Sequence, residues 1–177
     1  MATLAHALLA DVARGGVNEP YVIKSKAATL MAEVARQEGA ELWARLVPDL
    51  VRMCASEGGQ SAELAMNVVR FVAEDVAIHN EDMIGGRLRD LLGGLTSTLP
   101  AVLPAIYSVM EKHYVKSTSC QDAQEQKAHL AAVNAALGAC AVYGEWAPLA
   151  AFMRSGLIEA CGMLLVRQRV CSSARRR

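Results

Sequence analysis

The chain has 177 residues, with 18 Lys+Arg against 18 Asp+Glu, 53% hydrophobic and only 5% aromatic residues. That length fits one domain or a short run of stacked repeats and excludes a multidomain enzyme. Alanine (31) and leucine (20) dominate while Thr, Ile and aromatics are sparse, a composition that predicts an all-α fold.

The zero net charge hides an asymmetry. From Arg167 onward the chain carries Arg167, Arg169, Arg175, Arg176 and Arg177 without an acid. The remainder holds 13 bases (18 less 5) against 18 acids, a net −5. A body of that sign is poorly suited to gripping nucleic-acid phosphates by itself. The five cysteines, Cys54, Cys120, Cys140, Cys161 and Cys171, are odd in number and lack zinc-site spacing. Reduced thiols of a nuclear or cytosolic protein are expected, with no metal and no cofactor. The start, MATLAHALLADVARGG, lacks a basic n-region and meets Asp11 early, unlike a secretory signal. The most apolar run, Leu130–Gly144, is too short for the ~20 residues of a membrane span, so no membrane partner is expected.

In chain order, Ile23, Ala27, Leu30, Met31 and Val34 mark one face of a first helix that Gly39 ends. A second helix places Leu42, Trp43, Leu46, Val47, Leu50, Val51 and Cys54 on one face and stops at Gly58-Gly59. A third starts after Ser61 as N-cap and buries Leu64, Val68, Phe71 and Val72. His79–Asp82 is a polar break. From Ile84 to Lys116 the apolar pattern is long, and Pro100 and Pro104 predict one kinked helix or two nearly collinear ones. Lys116–Gln124 is read as a loop, followed by an Ala-rich helix to about Gly144. A last pair spans Pro148–Val166, broken near Ser155-Gly156.

Helix, short turn, helix, repeated, points to stacked pairs. Leu30-Met31 with Val34 is echoed by Leu64-Ala65-Met66 with Val69, about 34–35 residues on. The expectation is an α-solenoid of about three antiparallel pairs, one with a long proline-kinked second helix, with a closed bundle as the alternative. Two apolar end faces would then be open, which predicts marginal stability and self-association of the isolated chain.

Motifs for chemistry are scarce. His79, Glu81 and Asp82 lie in a polar break without a second His at helical spacing. Gly85-Gly86 and Gly93-Gly94 do not form a phosphate-binding loop, and neither G-x-S-x-G nor H-E-x-x-H occurs. The chain is therefore read as a non-enzyme.

Three stretches carry a resemblance: KAATLMAEVARQEGAELWARLVPDL (Lys26–Leu50), AELAMNVVRFVAEDVAIHN (Ala62–Asn80) and AVYGEWAPLAAFMRSGLIEACGMLL (Ala141–Leu165). In this order and spacing they resemble the exportin-1-like region of karyopherin-type nuclear exportins, most closely the exportin-5/HASTY branch. The long Ile84–Lys116 segment matches an extended second helix in that family. The resemblance covers roughly Asn18 to Val166. It implies residues 1–17 as the end of a preceding repeat, 18–166 as the HEAT-repeat region and 167–177 as a basic, disordered tail. The chain would be a fragment or a truncated, non-exporting paralogue of such an exportin.

The resemblance further implies a nuclear export receptor that shuttles between nucleus and cytoplasm. Its partners would be Ran in the GTP form, nuclear pore components, and cargo such as proteins and small structured RNA, microRNA precursors included. A generic HEAT or armadillo-type interaction scaffold is the alternative. Arg45, Asp49 and Arg52, opposite the apolar face of the second helix, would line a concave partner face, joined by Arg87, Lys112 and Lys116 on the long helix. A solvated charged face accounts for the same pattern. Trp43 and Trp146 fit either a hydrophobic peptide pocket or core packing. With Phe71, Leu92 and Tyr107 they are taken as core.

Overall fold

A computed structural model describes residues 21–81 and 85–174, with side chains as far as Val166. The expected end of a preceding repeat at 1–17, and the closing Arg175–Arg177, lie outside the described residues. Among the described residues seven α-helices follow one another: α1 (Tyr21–Glu38), α2 (Ala40–Ala55), α3 (Gly59–Ala73), α4 (Gly86–Ser119), α5 (Ala123–Trp146), α6 (Leu149–Arg154) and α7 (Leu157–Ala174). A five-residue π-helix, Glu74–Ile78, extends α3. No strand occurs among the described residues. α7 runs past Val166, through part of the stretch read as tail.

The helices form two layers. α1, α3 and α5 lie side by side in one, and α2, α4 and α7 in the other. Contacts set the directions. Lys24 pairs with Glu63, and Gly59 abuts Ala128, so α1, α3 and α5 run parallel. Ala40 meets Gly94, Trp43 reaches Thr98 and Ala55 receives Lys112, so α2 and α4 run parallel. Tyr107 faces Gly156, and α7 continues beside α4 in the same direction. Layers of parallel helices joined by short turns are the architecture of a HEAT-like solenoid, as the periodicity led one to expect.

Local chemistry explains the boundaries. Gly39 takes φ 94°, a left-handed conformation that ends α1 and turns the chain into α2. α3 begins at Gly59, two residues before the N-cap expected at Ser61. A Cβ on Gly59 would lie 2.6 Å from the Ala128 carbonyl carbon. Only glycine permits that approach at the first helical position, and the N-cap, Gly58, has no side chain to cap with. α4 is one continuous helix through Pro100 and Pro104. Both prolines are exposed, so the Thr96 and Pro100 carbonyls they leave unbonded face water, which lowers the cost of interrupting the ladder. The expected loop at Lys116–Gln124 shrinks to Cys120–Asp122, because Asp122 caps α5 by accepting the Gln124 N–H at 2.8 Å.

The core sits around α3, which is buried on nearly every side: Ala62, Glu63, Leu64, Ala65, Met66, Asn67, Val68, Val69, Val72 and Ala73 are all inaccessible. α2 buries Leu42, Trp43, Leu46, Val47, Leu50 and Cys54, nearly the face the spacing marks. α1 is rotated from its expected face. It buries Lys24, Ala28, Met31, Ala32 and Ala35, while Ile23 and Leu30 are half exposed. α1 has apolar residues on two faces, and the small-residue face allows closer approach to α3. α4 is long and apolar enough to cross a membrane, yet its Leu91, Leu95, Leu99, Leu103 and Ile106 are buried in the helix stack.

Candidate partner-binding face

The outer surface of the α2/α4 layer carries the charged residues singled out from sequence. On α2, Arg45 pairs with Glu41 at 3.2 Å and Arg52 with Asp49. The arginine side chains are 60% and 76% exposed. The stripe alternates in sign, Glu41, Arg45, Asp49, Arg52, and is neutral as a whole. Pairs made by exposed arginines add little stability, about 0–1 kcal/mol each, so the two arginine side chains can be redirected to a partner at low cost.

The cations on α4 are differently employed. Arg87 Nη2 donates to the carbonyls of Arg36 and Gln37, each at 2.8 Å, closing the C-terminus of α1. Lys112 donates to the Ala55 carbonyl at 2.9 Å, the Ser56 carbonyl at 3.1 Å and Glu57 Oε1 at 2.6 Å. Its three N–H groups are thereby used. Lys116 bonds Glu57 through both the carbonyl and Oε2. Cations at the carbonyl ends of helices satisfy orphan acceptors and oppose the negative end of the macrodipole. Lys112 and then Lys116 hold the Glu57 carboxyl down at about 2. These residues tie the α4 layer to the ends of α1 and α2.

The tryptophans differ too. Trp43 is 1% exposed and its Nε1–H donates to Thr98 Oγ1 at 2.9 Å, so it has no surface to offer a peptide. Trp146 is half-buried with Phe71, Leu92 and Tyr107 against the core, its ring 5.2 Å from that of Tyr143. A groove of about 110 Å³ runs between α4 and α7, lined by Tyr107, Met110, Glu111, Tyr114, Met163 and Leu164.

Two buried polar pairs escaped the sequence reading. Lys24 and Glu63 form an ion pair between α1 and α3, 6% and 3% exposed. His113 and His129 join α4 to α5, Nδ1 to Nδ1 at 2.9 Å. His113 Nε2 is buried without a protein partner. A buried N–H lacking an acceptor costs more than a lone pair lacking a donor, which puts the shared proton on His113 Nδ1, donating to His129. Burial first, then His129 and the two lysines, pushes His113 down to about 4. Hairpin register could have revealed this pair: positions equidistant from the turn at Gln121 face each other, and 113 and 129 are such positions. His79, the histidine singled out from the sequence, lies apart at the end of the π-helix. Among the described residues no three His, Cys, Asp or Glu side chains converge as metal ligands.

Comparison with known proteins accords with this architecture. The family described as Exportin 1-like protein matches residues 20–175. The protein HASTY 1 of Arabidopsis thaliana is 37% identical over 161 residues, 89% of this chain and 13% of its own length. Exportin-5 of Dictyostelium discoideum is 22% identical over 142 residues, 74% of this chain and 12% of its own length. The chain thus spans about an eighth of these relatives. No solved structure matches. With the family match covering every described helix, the chain belongs to the exportin 1-like family.

Proposed function

We propose that this chain acts as one arc of a nuclear export receptor, binding Ran in its GTP form and cargo for transport from nucleus to cytoplasm. The observation that carries the reading is the match to exportins along the whole helix stack. The architecture supports it: stacked pairs contact mainly their neighbours, so a partner that prefers one curvature shifts the population of the whole stack. No step in such transport requires this chain to make or break a covalent bond.

The α2 stripe of Arg45, Asp49 and Arg52, with its two arginines exposed, is the contact we assign to a protein partner. Its alternating sign suits a protein surface better than a phosphate backbone, which wants uncompensated cations. Structured small RNA, the cargo class of the exportin-5 branch, would rest on other arcs. Arg87, Lys112 and Lys116 would serve the same face indirectly, by fixing α4 against the ends of α1 and α2.

The test uses native extract. Gln121–Lys127 is exposed throughout, so an antibody against it can capture the folded protein. Ran locked with GTP, or with GDP, is added before capture, and Ran and short hairpin RNA are measured in the eluate. At least tenfold more of both with GTP is expected. Equal recovery in the two arms would sink the export reading and favour a general helical scaffold.

A further inference from the structure

Two cysteines have no part in the partner face. Cys140, on α5, is 6% exposed, and Cys161, on α7, is partly exposed. Their Sγ atoms lie 3.9 Å apart. Cys54 is buried elsewhere in the core, and the Cys120 thiol donates to Glu125 Oε2 at 3.0 Å instead. A disulfide requires sulfurs ~2.05 Å apart, so the pair must close by roughly 1.9 Å. α7 can supply that movement. Between Leu157 and Val166 only Leu157 and Ala160 are buried, whereas Ile158, Met163, Leu165 and Val166 are exposed. α5, by contrast, is clasped by α3 and α4 along much of its length.

We propose that Cys140 and Cys161 form an oxidation-sensitive dithiol whose disulfide staples α7 to α5. The oxidant is a peroxide. Cys161, the accessible thiol, attacks it first: an S–O bond forms as the O–O bond breaks, giving Cys161 sulfenic acid and one water. The Cys140 sulfur then attacks the Cys161 sulfur. The S–S bond forms, the S–O bond breaks, and the departing hydroxide takes the Cys140 proton as a second water. Two thiols lose two electrons and one peroxide gains them. Burial, with Cys161 alongside, holds the Cys140 thiol up at about 12. The second step is therefore slow near neutrality and quickens roughly tenfold per pH unit, because the thiolate attacks. The staple fixes the angle at which α7 presents its exposed apolar face, independently of whether the chain serves in export.

Trypsin makes the test direct. Cleavage after Lys127, Arg154 and Arg167 places Cys140 in the peptide 128–154 and Cys161 in 155–167. The full 177-residue chain is treated with dilute hydrogen peroxide, alkylated, digested without reductant and weighed by mass spectrometry. The expected product is these two peptides linked, lighter than their sum by two hydrogens, and restored to separate peptides by dithiothreitol. Mixing isotopically heavy and light chains before oxidation should give unmixed pairs, which marks the link as intramolecular. Cys161→Ser, with an unchanged helical circular dichroism spectrum, should abolish the linked pair and leave Cys140 alkylated. Cys120→Ser should leave the pair intact. The proposal is overturned if Cys140 remains fully alkylated while Cys161 proceeds to sulfinic acid, or if the linked pairs are isotopically mixed.

Discussion

The middle of this stack and its ends are built differently. α3 is buried almost all round and holds a buried ion pair to α1 and a glycine contact to α5. The ends show the reverse. α1 leaves Tyr21, Val22, Ile23 and Leu30 exposed, and α6 and α7 leave Leu149, Met153, Ile158, Met163, Leu165 and Val166 exposed. In a solenoid each pair buries its apolar face only against neighbours. Interior positions should therefore be intolerant of change, and end positions indifferent in stability but decisive for association.

Substitutions at the centre should sharpen that contrast first. Trp43→Ala should cost about 4–5 kcal/mol, since it empties a large buried volume and removes the indole N–H that donates to the Thr98 hydroxyl. An unmoved urea midpoint would mean that the α2/α4 seam is not where stability resides. Glu63→Ala should cost about 3–4 kcal/mol by leaving Lys24 buried without its counter-charge. Adding Lys24→Met to that variant should recover much of the loss, and a double variant no better than the single one refutes the pairing. Gly59→Ala should cost about 2–3 kcal/mol, because its methyl meets the α5 backbone at 2.6 Å and backbone cannot step aside cheaply. A neutral result there would count against the close approach of α3 to α5.

Acid probes the same middle through His113. Its folded value, about 4, lies below the 6.5 of the unfolded chain, so the unfolded state binds the extra proton. The contribution is complete above pH 6.5 and is lost as pH falls towards 4, amounting to about 2 kcal/mol between pH 7 and pH 5. Glu57, Lys112, Lys116, Glu125 and His129 act on this pair: the two lysines disfavour the positive charge, and the carboxylates Glu57 and Glu125 favour it. His113→Gln should flatten the stability profile across that interval; a profile as steep as the parent's would assign the acid sensitivity elsewhere. At the end of the stack, Leu165→Ser should change stability by less than about 0.5 kcal/mol while weakening self-association of the isolated chain. Sedimentation velocity decides this, and unchanged association would exonerate the α7 face.

Much of the site was legible in advance to the extent that it was local. Arg45 and Arg52 are exposed on α2 because they lie opposite the apolar face of Leu42, Leu46 and Leu50, a matter of helical period alone, whereas Asp49 sits at the edge of that face and is partly buried. The employment of Arg87, Lys112 and Lys116 was not legible, since the carbonyls they hold are about 50–60 residues away in sequence. Nothing in the spacing of a lone lysine says which helix end it will reach.

What the sequence by itself determined is the set of helices, most of their breaks and their family: alanine and leucine at helical spacing, Gly39 and Gly58-Gly59 as punctuation, and a pattern shared with exportins along the chain. These follow from short-range sterics and hydrogen bonding, which act within a turn or two. Only the tertiary structure decided which face of α1 turns inward, that α4 runs unbroken through two prolines, and that Lys24 meets Glu63 and Cys140 meets Cys161. α1 had two apolar faces to choose from, and the closeness of packing against α3 selected the one lined with alanine. The prolines are tolerated because their side of α4 faces water. Parallel stacking brings Lys24 and Glu63 to the same height, the α4/α5 hairpin does so for His113 and His129, and the packing of α7 against the stack carries Cys161 to Cys140.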